Sequence, residues 1–494
     1  MPDAAPDAGL DAAVDAGQDA GRDASVADAG LDAAVDARPD AAVVDAGLDA
    51  APVPGNCAPA ALAWAQNFIT ANNPSRTLYV ATSGDDNSGS GALTSPYASI
   101  GKALRSALPR DKIIVKAGTY SNMCASNYVA SGAQGTSANP IWVRGEAGAI
   151  VDCGEGASGT HTALQLIGVK YLILDNLEFR NAGVHLLQIY NDGGSRGNPT
   201  GLLLKGIKAH HAGEACLKVS KTDDISVEDS DFSNSGLASN NDTSFYSGQV
   251  LDFVGVHNGR VIRNKVHDAL GNGQGSLPNS LINFKGGSQD IQIAHNDLWN
   301  AETAVYLGGY TGGTYFYPAT ATYEGLRVVA YSNVIKSSMQ KPFQVVGCHQ
   351  CAVYNNTTYA DVPAAAVRAL TGNAYNCTKC SHTIDLQVKN NIFFFSASAA
   401  PFSLFQGSAA DTGGLVQASN LWYAPGKSAS SMSSEVAVVG APGAKIDLDP
   451  KFVSAPTNLA LQAASPAKGA GVTTPYDGNY DGLCRVAPWN IGAY

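Results

Sequence analysis

Lys218, Asp252, Asn283, Lys285 and Tyr306 are residues whose types and spacing could move a proton. Four of them sit in the middle of an apolar-polar-apolar triplet: Leu217-Lys-Val219, Leu251-Asp-Phe253, Ile282-Asn-Phe284 and Val305-Tyr-Leu307. Three further triplets, Leu187-Gln-Ile189, Phe343-Gln-Val345 and Val367-Arg-Ala369, carry Gln188, Gln344 and Arg368. In a β-strand the flanking apolar pair turns inward and the middle residue outward. Stacked strands would therefore align the middle residues in one outward column, ~4.8 Å apart. Two residues further on, a second column holds Tyr190, Ser220, Val254, Lys285 and Gly308. A neutral lysine is a base and a phenol a proton donor, which makes Lys285 and Tyr306 the acid–base candidates. Lys285 would need a lowered pKa; Lys218 or a bound cation pushes that way, whereas Asp252 alone raises it. The plain alternative is a solvated strand face on which Lys and Asp merely pair, worth under ~1 kcal/mol.

The elements that must position these residues show as a repeat. Its clearest units are Asn176-Leu-Glu-Phe179, Asn264-Lys-Val-His267, Asn296-Asp-Leu-Trp299, Asn333-Val-Ile-Lys336, Asn356-Thr-Thr-Tyr359, Asn391-Ile-Phe-Phe394 and Asn420-Leu-Trp-Tyr423. Gly206-Ile-Lys-Ala209 and Asp229-Ser-Asp-Phe232 take the same register with other turn-formers. Successive spacings are 30, 23, 35, 32, 37, 23, 35 and 29 residues. A floor near 23 with longer insertions suits a β-solenoid whose coils share a core and differ in loops. Asparagine tolerates the left-handed backbone that a recurrent bend needs, and stacked asparagines can bond to one another.

Here the sequence resembles the right-handed parallel β-helix, or pectate-lyase-like, superfamily of secreted proteins. Tyr79-Val-Ala-Thr-Ser-Gly-Asp-Asp-Asn-Ser-Gly is similar to its opening strand and Gly/Asp loop. A short helix from Ser99 to Leu108 follows, with Ile100, Ala103, Leu104, Ala107 and Leu108 on one stripe, as a plug over the open solenoid end requires. Asn458-Leu-Ala-Leu-Gln, Ser465-Pro-Ala-Lys-Gly-Ala-Gly471 and Asn490-Ile-Gly-Ala-Tyr494 are similar to the terminal coil. The likeness covers roughly residues 79–494 and implies an all-β fold with a capping helix.

The resemblance also implies that the sheet carrying the polar column is a polysaccharide groove. The sharp expectation is β-elimination on an acidic, uronate polymer, with Lys285 as base and Tyr306 protonating the leaving oxygen. Asn283 would hold the substrate carboxylate, Asp252 would help bind Ca²⁺, and Lys218 and Arg368 would bind substrate. Leu281-Ile-Asn-Phe-Lys-Gly-Gly-Ser288 looks like the lysine-bearing coil of alginate-lyase and chondroitinase-type β-helix enzymes. Ser280 stands where those have Glu, and Leu307-Gly308-Gly309 where they have Arg-His-Gly, so any such chemistry must use another residue set. Two alternatives stand beside elimination: a non-catalytic surface protein that binds or adheres to carbohydrate through the same groove, and a glycoside hydrolase. The hydrolase lacks a second carboxylate in the column.

Other candidates border this sheet. His210, His211 and Glu214 fall in the stretch leading to the Lys218 strand. Tyr310, Tyr315, Phe316 and Tyr317 form an aromatic insertion whose rings, Tyr315 and Tyr317 above all, either stack on sugars or cover the solenoid. Asp85, Asp86 and Asn87 could ligate Ca²⁺ or simply make a turn. Cys348-His-Gln-Cys351 and Cys377-Thr-Lys-Cys380 are two C-x-x-C units in loops of adjacent coils. Their sulfurs would hold one structural Zn²⁺ or form two disulfides stapling neighbouring loops; export favours disulfides. Cys124 and Cys153 suit a further staple, and with nine cysteines one stays unpaired.

Charge divides the chain. The formal net charge is −11, yet residues 1–54 carry twelve Asp and only two Arg, which leaves the remainder near neutral. Residues 1–55 read as a disordered acidic spacer, because their Asp residues would repel at i, i+4 in a helix and no aromatic is present to start a core. Residues 56–494 read as one β-helix domain. Similar Asp-Ala-Gly tracts follow the lipidated cysteine of bacterial surface lipoproteins. An extracellular or outer-surface location is therefore expected, with the export signal or lipid anchor lying upstream of this chain. No apolar run approaches 18 residues, which excludes membrane insertion by a helix. The acidic balance argues against a general nucleic-acid binder, which would need a basic face, and a monomer is expected.

Overall fold

The repeated strands close into coils of a right-handed parallel β-helix in this computed structural model. It describes residues 57 and 62–494, except 122, 125–127, 130–132, 156–158, 192, 237–247, 270–279, 337–340, 362–364, 371–381, 397–402, 429–433 and 435. Each coil contributes up to three strands. In one coil Ser280–Lys285 leads through the Gly286-Gly287 bend to Ser288–Ala294, then through the bend at His295 to Asp297–Trp299. The last strand of each coil joins a 12-stranded parallel sheet; the other two faces belong to a 22-stranded sheet that bends at the corner between them. Chirality favours right-handed crossovers between parallel strands. The candidate residues lie on strands β1 (Leu187–Tyr190), β2 (Leu217–Glu228), β3 (Gln249–His257), β4 (Ser280–Lys285), β5 (Thr303–Gly308), β6 (Lys341–Val346) and β7 (Ala365–Leu370).

One apolar core runs along the axis from Leu78 to Val438, filled by inward residues of the coil strands. Phe253 and Phe284 stack there with ring centroids 4.2 Å apart and planes 2° from parallel, because identical positions of adjacent coils are one strand spacing apart. Helix α1 (Ala63–Ala71) was not expected from the sequence. It packs Ala65 and Phe68 against Trp142, Ile173 and Leu203 on the outside of the solenoid. Helix α2 (Ile100–Ser106) is the expected plug, capped by Ser99 Oγ, which accepts from the Lys102 N–H at 3.1 Å. It buries Ile100, Ala103 and Leu104, but Leu108 lies beyond its end and is 60% exposed. The helix stops two residues earlier than its apolar stripe suggests.

The asparagines form a buried ladder. Asn264, Asn296, Asn333, Asn356 and Asn391 each donate from Nδ2 to Oδ1 of the next asparagine, ending at Asn420, at 2.9–3.1 Å. Each backbone N–H bonds the same Oδ1 at 2.9–3.0 Å. The left-handed backbone falls one residue earlier than expected, at Arg263, His295, Ser332, Asn355, Asn390 and Ser419. A ladder asparagine needs its side chain aimed inward along the axis, so the preceding residue turns the corner. Asn176, Gly206 and Asp229 occupy that corner register instead, and Ser230 takes the ladder place, its N–H donating to Asn264 Oδ1 at 3.0 Å.

Disulfides join Cys57 to Cys484, Cys124 to Cys153 and Cys348 to Cys351. The Cys124 pairing is the one expected. The bond within Cys348-His-Gln-Cys351 overturns both the staple to a neighbouring loop and a zinc site on these two sulfurs, since a disulfide sulfur is no longer a thiolate ligand. Cys377 and Cys380 lie outside the described residues. Among the described residues Cys216 is the free thiol, and burial pushes its pKa up, which removes it as a nucleophile.

The chain returns along the asparagine corner after its last coil. Val472 N–H donates to Asn390 Oδ1 at 2.9 Å, Tyr476 stacks on Tyr331 at 4.3 Å, and Ser332 Oγ donates to the Gly478 carbonyl at 2.7 Å. The Cys57–Cys484 bond ties off this strap. Coils of a solenoid contact only their neighbours, so Cys484→Ser is expected to fray residues 472–494 without unfolding the coils. Hydrogen exchange would show faster exchange confined to the strap; a uniform rise along the solenoid would contradict this.

Candidate functional site

The outward column forms in the expected register. Gln188, Lys218, Asp252, Asn283, Tyr306, Gln344 and Arg368 are consecutive partners across β1–β7. Gln165 extends it at one end and Gln406 at the other. Nine polar residues thus run along the axis, a strip of ~38 Å at one strand spacing each. Lys285 stands beside Val254 and Ser220 in the second column, as expected.

The surroundings differ from a solvated face. Lys218 is 8% exposed, and Asp252, Asn283, Lys285 and Tyr306 are 2–3% exposed. Lys218 Nζ lies 2.5 Å from Asp252 Oδ2, and Lys285 Nζ lies 3.6 Å from Oδ1. With its amide turned to suit its neighbours, Gln249 donates to both Asp252 oxygens at 2.9 Å and accepts from Asn283 Nδ2 at 3.2 Å. One carboxylate is therefore shared by two ammonium groups and an amide. Around it, Ser280 Oγ, Asn283 Oδ1, Thr303 Oγ1 and Gln344 Oε1 are buried with no hydrogen-bond partner among the described residues. Unmet polar atoms of this kind are uncommon and costly in a packed interior.

The cover is the aromatic insertion between β5 and the strand Gly325–Tyr331. A Cβ at Gly309 would lie 2.9 Å from Lys285 Cβ and 3.3 Å from Asn283 Oδ1, so the chain passes directly over both side chains. Gly308, at φ +84°, has Val346 O where a Cβ would lie 1.9 Å away. These contacts explain why glycine fills position 308, where the resembling enzymes carry His. Phe316 packs on Ala321 and Tyr323, while Tyr317 stacks on His257 at 4.5 Å. The loop covers the solenoid through these two rings; Tyr310 and Tyr315 stay half-buried.

Glu324 closes this loop and was missed in the sequence. It is wholly buried, and its carboxylate accepts from Gly286 N–H at 2.8 Å, Thr311 N–H at 2.9 Å and Thr311 Oγ1 at 2.7 Å. Burial pushes its pKa up to about 7, against the opposing pull of those bonds and of Lys285. A lone glutamate 39 residues after Lys285 carries no pattern that would have marked it. Its folded-state pKa lies above the ordinary value, so between roughly pH 4.5 and 7 the folded chain holds a proton that the unfolded chain has lost. Stability should therefore fall as pH rises through that window, by about 3 kcal/mol from this group. Urea unfolding at a series of pH values should show the slope, and Glu324→Gln should remove it. An unchanged slope in the variant would assign it elsewhere.

The remaining candidates separate from this site. His210 and His211 lie on Lys208–Ala212 of the 12-stranded sheet, where His210 Nε2 is 3.2 Å from Glu178. They do not border the column. Glu214 lies 3.5 Å from His185. Asp85 and Asp86 serve the turn: Asp85 Oδ1 accepts from Asn87 N–H, and Asp86 accepts from Ala98 N–H, Ser99 N–H and Ser99 Oγ. Arg368 sits half-buried near the far end of the strip.

The Ca²⁺ that the resemblance implies does not suit these residues. Ca²⁺ takes six to eight oxygens. Asp252 is the one carboxylate of the column, and its oxygens face two ammonium groups. Among the described residues no group of three His, Cys, Asp or Glu could hold a metal ion.

No protein-family model and no curated protein sequence matches the chain. Solved structures do. The crystal structure of pectate lyase Pel9A superposes with a TM-score of 0.52 at 14% identity, covering 85% of this chain and 96% of that one. The complex of XylC with xylose gives 0.48 at 12% identity, covering 85% of this chain and 98% of that one. An alginate lyase from Paenibacillus gives 0.44 at 15% identity over 67% and 98%. The chain shares its overall fold with that pectate lyase. At these identities the likeness concerns the fold alone. Among the described residues no helix is long and apolar enough to cross a membrane.

Proposed function

We propose that the chain acts outside the cell on an acidic, uronate-containing polysaccharide by β-elimination, at the cluster on β2–β6. One observation carries the reading: four buried polar atoms without partners among the described residues lie around two lysines that share a carboxylate. A solenoid needs only apolar packing to stand, and replacing buried ion networks by apolar groups is often neutral or stabilising. A concentration of unmet polar atoms on three adjacent strands is better explained by a ligand. The polymer substrate is supported by the pectate lyase of similar fold.

In this reading Lys218 and Asn283 meet the uronate carboxylate, which makes the adjacent C–H acidic. Lys285, having first released its ammonium proton to solvent, takes that proton as the neutral amine, the electrons form a C=C bond, and the glycosidic C–O bond breaks as Tyr306 protonates the leaving oxygen. Arg368 and the half-buried Tyr315 contact further sugars. Tyr317 helps as part of the cover, because its ring face is already on His257. No step passes through Ca²⁺.

The second reading, non-catalytic binding of the same polymer, is favoured by the cover itself. Gly309 lies against Lys285, and an approaching sugar must displace that turn before a proton can move. A hydrolase has less support, with one carboxylate in the column. A panel of uronate polymers separates the readings through unsaturated product, which absorbs in the ultraviolet. Lys285→Ala should lower the rate by roughly 100-fold or more. Retention of a polymer without product would leave binding standing and remove elimination. Product formed equally by Lys285→Ala would remove Lys285 as the base.

A further inference from the structure

We infer that Lys218, held by Asp252, supplies the positive charge that meets the substrate's acidic group, and that this site takes no Ca²⁺. The inference rests on the polysaccharide reading for the identity of the ligand; its metal part stands on geometry alone. Ca²⁺ at Asp252 would need oxygen ligands at 2.3–2.6 Å. The space beside Oδ2 is filled by the Lys218 ammonium at 2.5 Å, and Oδ1 faces the Lys285 ammonium at 3.6 Å. The Gln249 amide faces both oxygens through its donor side, where a cation would need an acceptor. Glu324 offers no substitute, because Gly286 and Thr311 already donate to its two oxygens. A divalent ion would thus enter between two positive charges in a nearly dry site, where repulsion is poorly screened.

The same geometry says which lysine faces the ligand. The Lys218 side chain keeps 11% of its surface exposed against 4% for Lys285. It stands next to Gln188 on the more open side of the strip, whereas Lys285 lies under Gly309. Asp252 fixes the Lys218 ammonium in place without a metal.

Two measurements on the full chain test this. First, thermal unfolding is followed with millimolar CaCl₂ and with EDTA, in the absence of polymer. The expected result is the same melting temperature in both; a rise with CaCl₂ that Asp252→Asn abolishes would overturn the metal statement. Second, binding of polygalacturonate and the other polyuronates of the panel is measured by calorimetry in EDTA. Lys218→Met should weaken binding about tenfold or more, and Lys218→Arg, which keeps the charge, should weaken it less. Melting curves of both variants establish that they fold. Undiminished binding by Lys218→Met, or binding that appears only with Ca²⁺, overturns the role of Lys218. Failure of the parent chain to bind any polyuronate overturns the polysaccharide reading and the role of Lys218 with it, while the melting experiment still decides the metal statement.

Discussion

Asn333→Ala is expected to lower the unfolding free energy by about 3–5 kcal/mol, since each buried polar group left unsatisfied costs about 1–3 kcal/mol. Asn333 Oδ1 accepts from Asn296 N–H and Nδ2 at 3.0 and 2.9 Å, and its Nδ2 donates to Ile293 O at 2.8 Å and Asn356 Oδ1 at 2.9 Å. Alanine removes all four bonds at a site with no solvent to replace them. The backbone itself tolerates the change, because the left-handed residue is Ser332. Asn176→Ala is the control. Its Nδ2 makes one bond, to Gly145 O at 2.8 Å, in a more exposed corner, so about 1–2 kcal/mol is expected, part of it from placing alanine at a left-handed backbone position. Urea unfolding of both variants reads the difference. Equal losses would mean that the ladder adds little beyond its separate bonds.

The second large effect concerns the shared carboxylate. Asp252→Ala leaves two ammonium groups buried side by side, and breaking a buried pair this way costs about 3–5 kcal/mol. Adding Lys285→Met to that variant removes one of the stranded charges and should recover part of the loss. The cycle of Asp252→Ala, Lys285→Met and the double variant therefore yields a coupling energy clearly above zero. A neutral Asp252→Ala would show that the lysines reach water or lose their protons, and the network drawn here would be wrong. The comparison also weighs function against stability. If replacing the whole network by apolar residues leaves the fold intact, the fold does not require these charges.

Much of this could be read from residue order, and the reason is the solenoid itself. Each coil repeats one strand-bend-strand pattern, so register is local: φ-x-φ triplets such as Leu251-Asp-Phe253 and Ile282-Asn-Phe284 must align if their apolar residues share a core. That is why the column from Gln188 to Arg368 is recoverable without coordinates. The asparagine repeat was equally legible, though its corner lies one residue off, because a sequence shows which residue recurs and not which torsion it adopts. The cover was not legible. Nothing in Tyr310–Tyr323 says that its chain folds onto Lys285 rather than into solvent, since loops lack the periodicity that fixes strands.

Sequence alone determined the solenoid, the outward strip and its charged centre, and the concentration of acidic charge in residues 1–54. Periodic burial is a local property that repeats often enough to be unambiguous. Only tertiary structure decided that the centre of the strip is buried, that one carboxylate serves two lysines, that Glu324 lies behind them, and that Cys348 bonds Cys351 while Cys57 reaches Cys484. Each of these depends on contacts between segments with no fixed spacing, where the distance in space owes nothing to distance along the chain. The chemistry of the site rests on those contacts: a solvated Lys–Asp pair would be a weak surface feature, and the same residues under a loop form a polar centre with unmet hydrogen-bonding capacity.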